Sequence, residues 1–221
     1  VSLIICIPVI PIIIICAIWV KLDSKGPIFY NAKRIGKDGK EFTCYKFRSM
    51  YINGDELLKK YLAKNPEAQK EWDEFQKLHD FDPRVTKAGK IMRKTSLDEL
   101  PQILNVLKGE MSIIGPRPLP IVYEGRYNKL HDLRHSVRPG LDCPLRDPSM
   151  LMTWQNRFNN DAWYVQNIKF STDVKLILLL IREVLVGKDK EARAKGFSEG
   201  SFIGYFPDGR VMDSNNIPEE Y

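Results

Sequence analysis

Histidine and cysteine, the usual ligands of zinc, are scarce in this chain. Its 221 residues include three histidines, His79, His131 and His135, and none lies in an HExxH arrangement. A zinc site of that kind is therefore not expected. The four cysteines, Cys6, Cys16, Cys44 and Cys143, show no CxxC spacing. They read as reduced thiols, which suits a globular part in the cytoplasm. No zinc-finger, RRM or KH signature occurs, and few aromatics sit among the basic clusters. Nucleic acid is thus the weakest of the partners that a basic chain could take. There is no internal repeat and no low-complexity tract. The first residue is Val1 rather than methionine, so further sequence is expected upstream.

A large excess of one charge is also missing. Thirty-four basic residues against 28 acidic ones leave a net charge of +6 and a pI near 9.0. That excess could face anionic lipid or phosphorylated substrates, and charge alone does not choose between them. The length suffices for one domain of roughly 150–200 residues plus a membrane segment.

Residues 1–20, VSLIICIPVIPIIIICAIWV, carry no charge at all. Such a run is about long enough to cross a bilayer, since about 20 residues at 1.5 Å rise span roughly 30 Å. Pro8 and Pro11 interrupt it, and each removes a helix N–H, so a kink is expected. Two arrangements are open: an anchor helix with a proline kink, which composition alone favours, or a kinked helix that dips into one leaflet and returns. Lys21, Lys25, Lys33, Arg34 and Lys37 follow closely, which places the globular part on the cytoplasmic side.

Beyond the apolar run, residues 28–30 and 41–47 read as strands, with a hairpin-type turn at Asp38-Gly39. Residues 55–62 and 67–79 read as two helices divided at Asn65-Pro66. Helices are also expected over 101–108, ended by Gly109, over 123–133, and over 171–186 with Ser171 as N-cap and Asp173 in its first turn. Residues 154–168 are aromatic-rich and mixed in pattern.

The stretch 90–120, KIMRKTSLDELPQILNVLKGEMSIIGPRPLP, carries the chemistry. Ser96-x-x-Glu99 is a capping-box pattern that would set Asp98 in a first helical turn. Pro101 prefers the first helical position, which would instead leave Asp98 and Glu99 just before the helix. Acids in a first turn can simply answer the helix dipole. Among the cations Arg84, Lys87, Lys90, Arg93 and Lys94, however, a carboxylate pair also suits phosphate chemistry. One carboxylate can attack phosphorus while the other holds a metal. Arg93 offers a planar fork for phosphate. Pro116 and Pro118 stiffen the chain around Arg117, which fits either a phosphate contact or a rigid turn.

Four segments in order carry a resemblance: 21–50, 82–120, RHSVRPG at 134–140, and 154–181. With them the chain resembles the bacterial sugar transferase family of monotopic phosphoglycosyl transferases. The resemblance implies a compact mixed α/β catalytic domain over 21–187, a re-entrant membrane helix over 1–20 broken at Pro11, and interfacial amphipathic helices. Residues 188–221 form a C-terminal extension without an assigned role. It further implies that Asp98 is the catalytic nucleophile toward a UDP-sugar, with Glu99 as its partner on Mg²⁺. Arg93 and Arg117 match phosphate-binding arginines. The acceptor would be polyprenyl phosphate at the bacterial inner membrane, among membrane lipid, and a homodimer is open. Three departures stand out. Ile10 precedes Pro11 where the family has serine, the usual lead-in before the membrane helix is missing, and residues 141–153 lack the family's glycine- and glutamine-containing pattern. That last departure leaves room for a non-catalytic scaffold derived from this fold, and the basic face for a membrane-surface module that binds anionic lipid.

Overall fold

The computed structural model describes residues 2–75, 78, 81–123, 125–142, 153–186 and 202–213. It divides into two compact units. Unit 1 comprises residues 1–33 and 43–108, and unit 2 comprises residues 34–42 and 109–221. Small two-stranded sheets and helices alternate, so the class is mixed α/β.

Unit 1 is built on α1 (Ser2–Asp23), whose side chains are described from Val9 onward. Cys16 and Val20, one turn apart, are buried with Phe47 and Met92, and Ile13, Ala17 and Trp19 pack beside them. The opposite stripe, Ile10, Ile14, Ile18 and Leu22, repeats every four residues and is exposed, Leu22 by 81%. Pro8 and Pro11 both lie inside α1, and Pro11 is exposed. Among the described residues no helix is long and apolar enough to cross a membrane.

Strands β1 (Phe29–Ile35) and β2 (Glu41–Phe47) form a hairpin. Its 3₁₀ turn, Lys37–Gly39, sets Asp38 at φ 57° and Gly39 at φ 72°, so the Asp-Gly signal is read correctly and β1 runs further than its three-residue apolar seed. Arg48, just past β2, is buried. Its guanidinium donates to the Pro27 carbonyl at 2.6 Å, to Ser24 Oγ at 2.7 Å and to the Ser24 carbonyl at 2.9 Å. One side chain thereby closes the exit of α1. Helices α2 (Gly54–Leu62) and α3 (Pro66–Phe75) follow, divided at Asn65. Residues 76–77 and 79–80, the end of the second expected helix, lie outside the described set. Thr86 caps α4 (Lys87–Thr95) by accepting from the Gly89 N–H at 2.9 Å. Asp23 Oδ2 accepts from the Ala88 N–H at 3.1 Å, satisfying a further donor at the same helix start. A 3₁₀ turn, Leu97–Gln102, leads into α5 (Ile103–Leu107).

Unit 2 holds the parallel pair β3 (Ser112–Ile114) and β4 (Gly140–Asp142). The single helix expected over 123–133 is not formed. Gly125 at φ 73° breaks it, and Asn128 starts a fresh turn, α6 (Lys129–Asp132), by accepting from the His131 N–H at 2.8 Å. A 3₁₀ turn, Leu133–Ser136, continues from it. The mixed aromatic stretch is one helix, α7 (Trp154–Gln166), with Thr153 capping it. Helix α8 (Phe170–Val186) starts one residue before Ser171, so that serine is helical and not the cap. Asp173 lies in the first turn as expected, and accepts from Tyr164 Oη at 2.8 Å. The antiparallel pair β5 (Phe202–Tyr205) and β6 (Val211–Asp213) brings Phe202 and Val211 into a core with Leu119 and Phe158.

Candidate active site

Asp98 and Glu99 sit in the first turn of the 3₁₀ segment Leu97–Gln102. Leu97 and Leu100 on the same turn pack against the Cys16–Val20–Phe47–Met92 core, which fixes the turn to α1, β2 and α4. The capping box is not made. Ser96 closes α4 in the left-handed conformation, φ 59° and ψ 18°, with its N–H on the Met92 carbonyl, and its side chain makes no cap bond. A side-chain N-cap needs an extended backbone at that residue, and ending α4 consumes it. Pro101 is accommodated inside the 3₁₀ turn.

Lys46 on β2 reaches Glu99 Oε1 at 2.5 Å, both side chains about one-fifth exposed. Burial pushes the Asp98 carboxyl above the ordinary value of 3.8. Lys46 and Arg93 draw it down, and neighbouring Glu99 pushes it up again. Arg93 on α4 donates through Nε to Ser49 Oγ at 2.9 Å. Behind it, Asp82 is paired with Arg84 at 2.7 Å, and those hydrogen bonds hold the Asp82 carboxyl below its usual range against the upward push of burial. The result is a half-buried carboxylate of raised basicity beside a second carboxylate and two cations. Such a group can attack an electrophile whose developing negative charge the cations stabilise.

The donors near Asp98 bear on a divalent ion. Among the described residues no cluster of three or more ligating side chains exists. Magnesium needs only one or two carboxylates when substrate phosphates complete its shell. The carboxylate of Glu99 is an oxygen donor of that kind. His131 and His135 are four apart in sequence, and each ring has a partner of its own. His131 Nδ1 meets Tyr205 Oη at 2.8 Å, and His135 Nδ1 meets Asp132 Oδ1 at 3.0 Å.

Arg117 belongs to unit 2. It is exposed on an extended loop between buried Pro116 and buried Leu119. The loop is anchored where Ile35 N–H donates to the Leu119 carbonyl at 3.1 Å, and where Arg134 Nη2 donates to the Arg117 carbonyl at 2.5 Å. Of the expected residues, unit 1 gathers Asp98, Glu99 and Arg93. Lys46 and Ser49 join them from β2 and the residues after it, and no local pattern marks either one in the sequence. Most of the divergent 141–153 loop falls outside the described residues.

A family model described as bacterial sugar transferase matches residues 1–187. Over 170 residues the chain is 41% identical to an undecaprenyl-phosphate galactose phosphotransferase of Salmonella typhimurium, covering 76% of this chain and 36% of that protein. Over 187 residues it is 34% identical to the UDP-glucose:undecaprenyl-phosphate glucose-1-phosphate transferase of Escherichia coli, covering 80% of this chain and 37% of that one. It is 43% identical over 153 residues to the exopolysaccharide production protein ExoY of Sinorhizobium fredii, covering 69% and 63% respectively. The chain thus spans little more than a third of the length of the first two.

Proposed function

The chain belongs to the bacterial sugar transferase family, and on that premise we propose that it transfers a sugar-1-phosphate from a UDP-sugar to polyprenyl phosphate. The observation that carries this reading is Asp98: a half-buried carboxylate of raised pKa, placed among Lys46, Arg93 and Glu99. Relatives named for undecaprenyl-phosphate sugar transfer support it.

In the proposed mechanism an Asp98 carboxylate oxygen attacks the β-phosphorus of the UDP-sugar. The bond from that phosphorus to the bridging oxygen breaks, and UMP leaves with the electron pair. The phosphosugar-aspartate left behind is then attacked by an oxygen of polyprenyl phosphate. Asp98 departs as the free carboxylate, and a polyprenyl-diphosphate-sugar results. Two displacements replace one difficult transfer. Arg93 and Arg117 bind phosphate oxygens, and Lys46 holds Glu99 in position while stabilising ionised Asp98. Glu99 is the residue that would hold Mg²⁺, whose charge would neutralise the diphosphate when bound.

The exposed stripe of α1, Ile10, Ile14, Ile18 and Leu22, supports placing that helix in lipid. Pro11 would be the break that lets it re-enter one leaflet, and the lysines after it keep the globular part on the cytoplasmic face. The deciding experiment measures UMP release from a panel of UDP-sugars with polyprenyl phosphate and Mg²⁺, comparing wild type with Asp98→Asn. Release by wild type alone is expected. Release by Asp98→Asn at the wild-type rate would remove the nucleophile, and no release from any donor would favour the scaffold.

A further inference from the structure

Unit 2 buries an ion pair that the proposed chemistry does not use. Asp161 on α7 is 1% exposed and Arg134, in the turn Leu133–Ser136, is 3% exposed. Arg134 Nη2 lies 3.0 Å from Asp161 Oδ2 and also donates to the Arg117 carbonyl at 2.5 Å. The guanidinium carbon sits 5.3 Å from the Phe158 ring centre and 5.8 Å from that of Tyr127. The rings and the carboxylate flank the head group, the carboxylate by charge alone because its nearest oxygen, Oδ2, accepts no hydrogen bond among the described residues, and the guanidinium delivers one N–H to the loop carrying Arg117.

The pair is costly to keep. Burial raises the Asp161 carboxyl to about 6 even against the pull of Arg134 and Arg157. Well-packed apolar residues fill such a space at least as favourably. What they cannot do is donate to a backbone carbonyl. Pro116 and Pro118 limit the loop's φ angles on either side, but rotation about the remaining bonds would still move the Arg117 side chain.

We propose that Arg134, oriented by Asp161, is a positioning residue that holds the Pro116–Pro118 loop so that Arg117 is presented to substrate phosphate. The inference rests on the reading of Arg117 as a phosphate-binding residue. Its reach is specificity for the donor's phosphates, so its loss acts on UDP-sugar affinity more than on turnover.

Two variants of the full chain in detergent test it, Arg134→Met/Asp161→Leu and Asp161→Asn, beside Arg117→Ala. The double variant removes both charges together and leaves no orphan charge buried. Asp161→Asn preserves shape but leaves the Arg134 charge buried without its partner, so its loop exchange is compared only at temperatures where its α7 peptides keep full protection; that comparison serves as the second test should the double variant not fold. Amide hydrogen exchange at Gly115, Arg117 and Leu119, the residues of 115–120 that carry an amide N–H, reports on the loop directly and needs no activity. Exchange there is expected to rise at least tenfold in the double variant and less in Asp161→Asn, while peptides of α7 and of β5–β6 keep their protection. KM for the UDP-sugar should rise about tenfold with kcat little changed. Unchanged loop exchange in the folded variants would overturn the proposal, and so would a loss of protection spread evenly over unit 2. If Arg117→Ala leaves KM unaltered while the loop exchanges faster in the double variant, the phosphate role of Arg117 fails and the positioning stands. If Arg117→Ala raises KM but neither loop variant changes exchange, the positioning fails and the phosphate role stands.

Discussion

A single added carbon at Gly89 tests whether the candidate site depends on the seat of α4. An alanine Cβ there would stand 2.1 Å from the Ser49 carbonyl oxygen, 2.7 Å from its carbon and 2.9 Å from Ser49 Cα. These are backbone atoms, so no rotamer change relieves the overlap. The same carbonyl accepts the Thr86 N–H at 3.1 Å, and the Ser49 hydroxyl accepts Arg93 Nε at 2.9 Å. Restoring ordinary contact requires α4 to retreat by about 1 Å, with overpacking and loosened hydrogen bonds together costing about 2–4 kcal/mol. At roughly 2–4 °C per kcal/mol for a chain of this size, Tm should fall by about 5–15 °C. Arg93 lies one turn beyond Gly89, and α4 ends at Ser96, directly before the Asp98 turn. The displacement therefore reaches the reacting groups, where an error of about 1 Å can lower the rate about 100-fold. Thermal unfolding and UMP release measured on the same Gly89→Ala preparation provide the check. An unchanged Tm with full UMP release would refute both the close approach and the dependence of the site upon it.

The other predictions concern charge, metal and core. Lys46→Met removes the largest downward influence on Asp98, so the acidic limb of kcat/KM should move to higher pH; an unmoved limb would separate Lys46 from Asp98. In folding, the raised Asp98 pKa means the native state holds that proton more tightly than the unfolded chain. Its contribution to stability is therefore full below pH 3.8, is lost as pH rises through the folded pKa, and is cancelled in an Asp98→Asn unfolding series across that window. Glu99→Gln should demand more Mg²⁺ for half-maximal UMP release, and a superimposable Mg²⁺ titration would contradict the metal role. Phe202, fully buried against Phe158 at 5.0 Å and stacked on Tyr127 at 5.7 Å, should cost about 3–5 kcal/mol as Phe202→Ala. A loss below 1 kcal/mol in denaturant unfolding would mean that β5–β6 is not part of the unit 2 core.

Elements whose signals are local were legible in the sequence. Asp38-Gly39 marks its own turn because those two residues tolerate φ > 0. The break at Asn65-Pro66, the strand Glu41–Phe47 and the acids of the Asp98 turn follow in the same way. Where two local signals competed, the reading failed. The capping box competed with Pro101 for the helix start, and neither set it: Ser96 ends α4 in the left-handed conformation and Pro101 lies inside the 3₁₀ turn. The 123–133 pattern looked helical, but Gly125 and Asn128 punctuate it.

By itself the sequence determined that an uncharged apolar run precedes a basic, mixed α/β chain with a carboxylate pair among cations, because composition, period and turn chemistry act over a few neighbouring residues. Tertiary structure alone decided that Lys46 meets Glu99 across 53 positions, that Arg48 closes the exit of α1, and that Arg134 pairs with Asp161 and donates to the Arg117 carbonyl. Such pairings depend on which buried polar groups the packed core leaves to satisfy one another. No local periodicity encodes that choice.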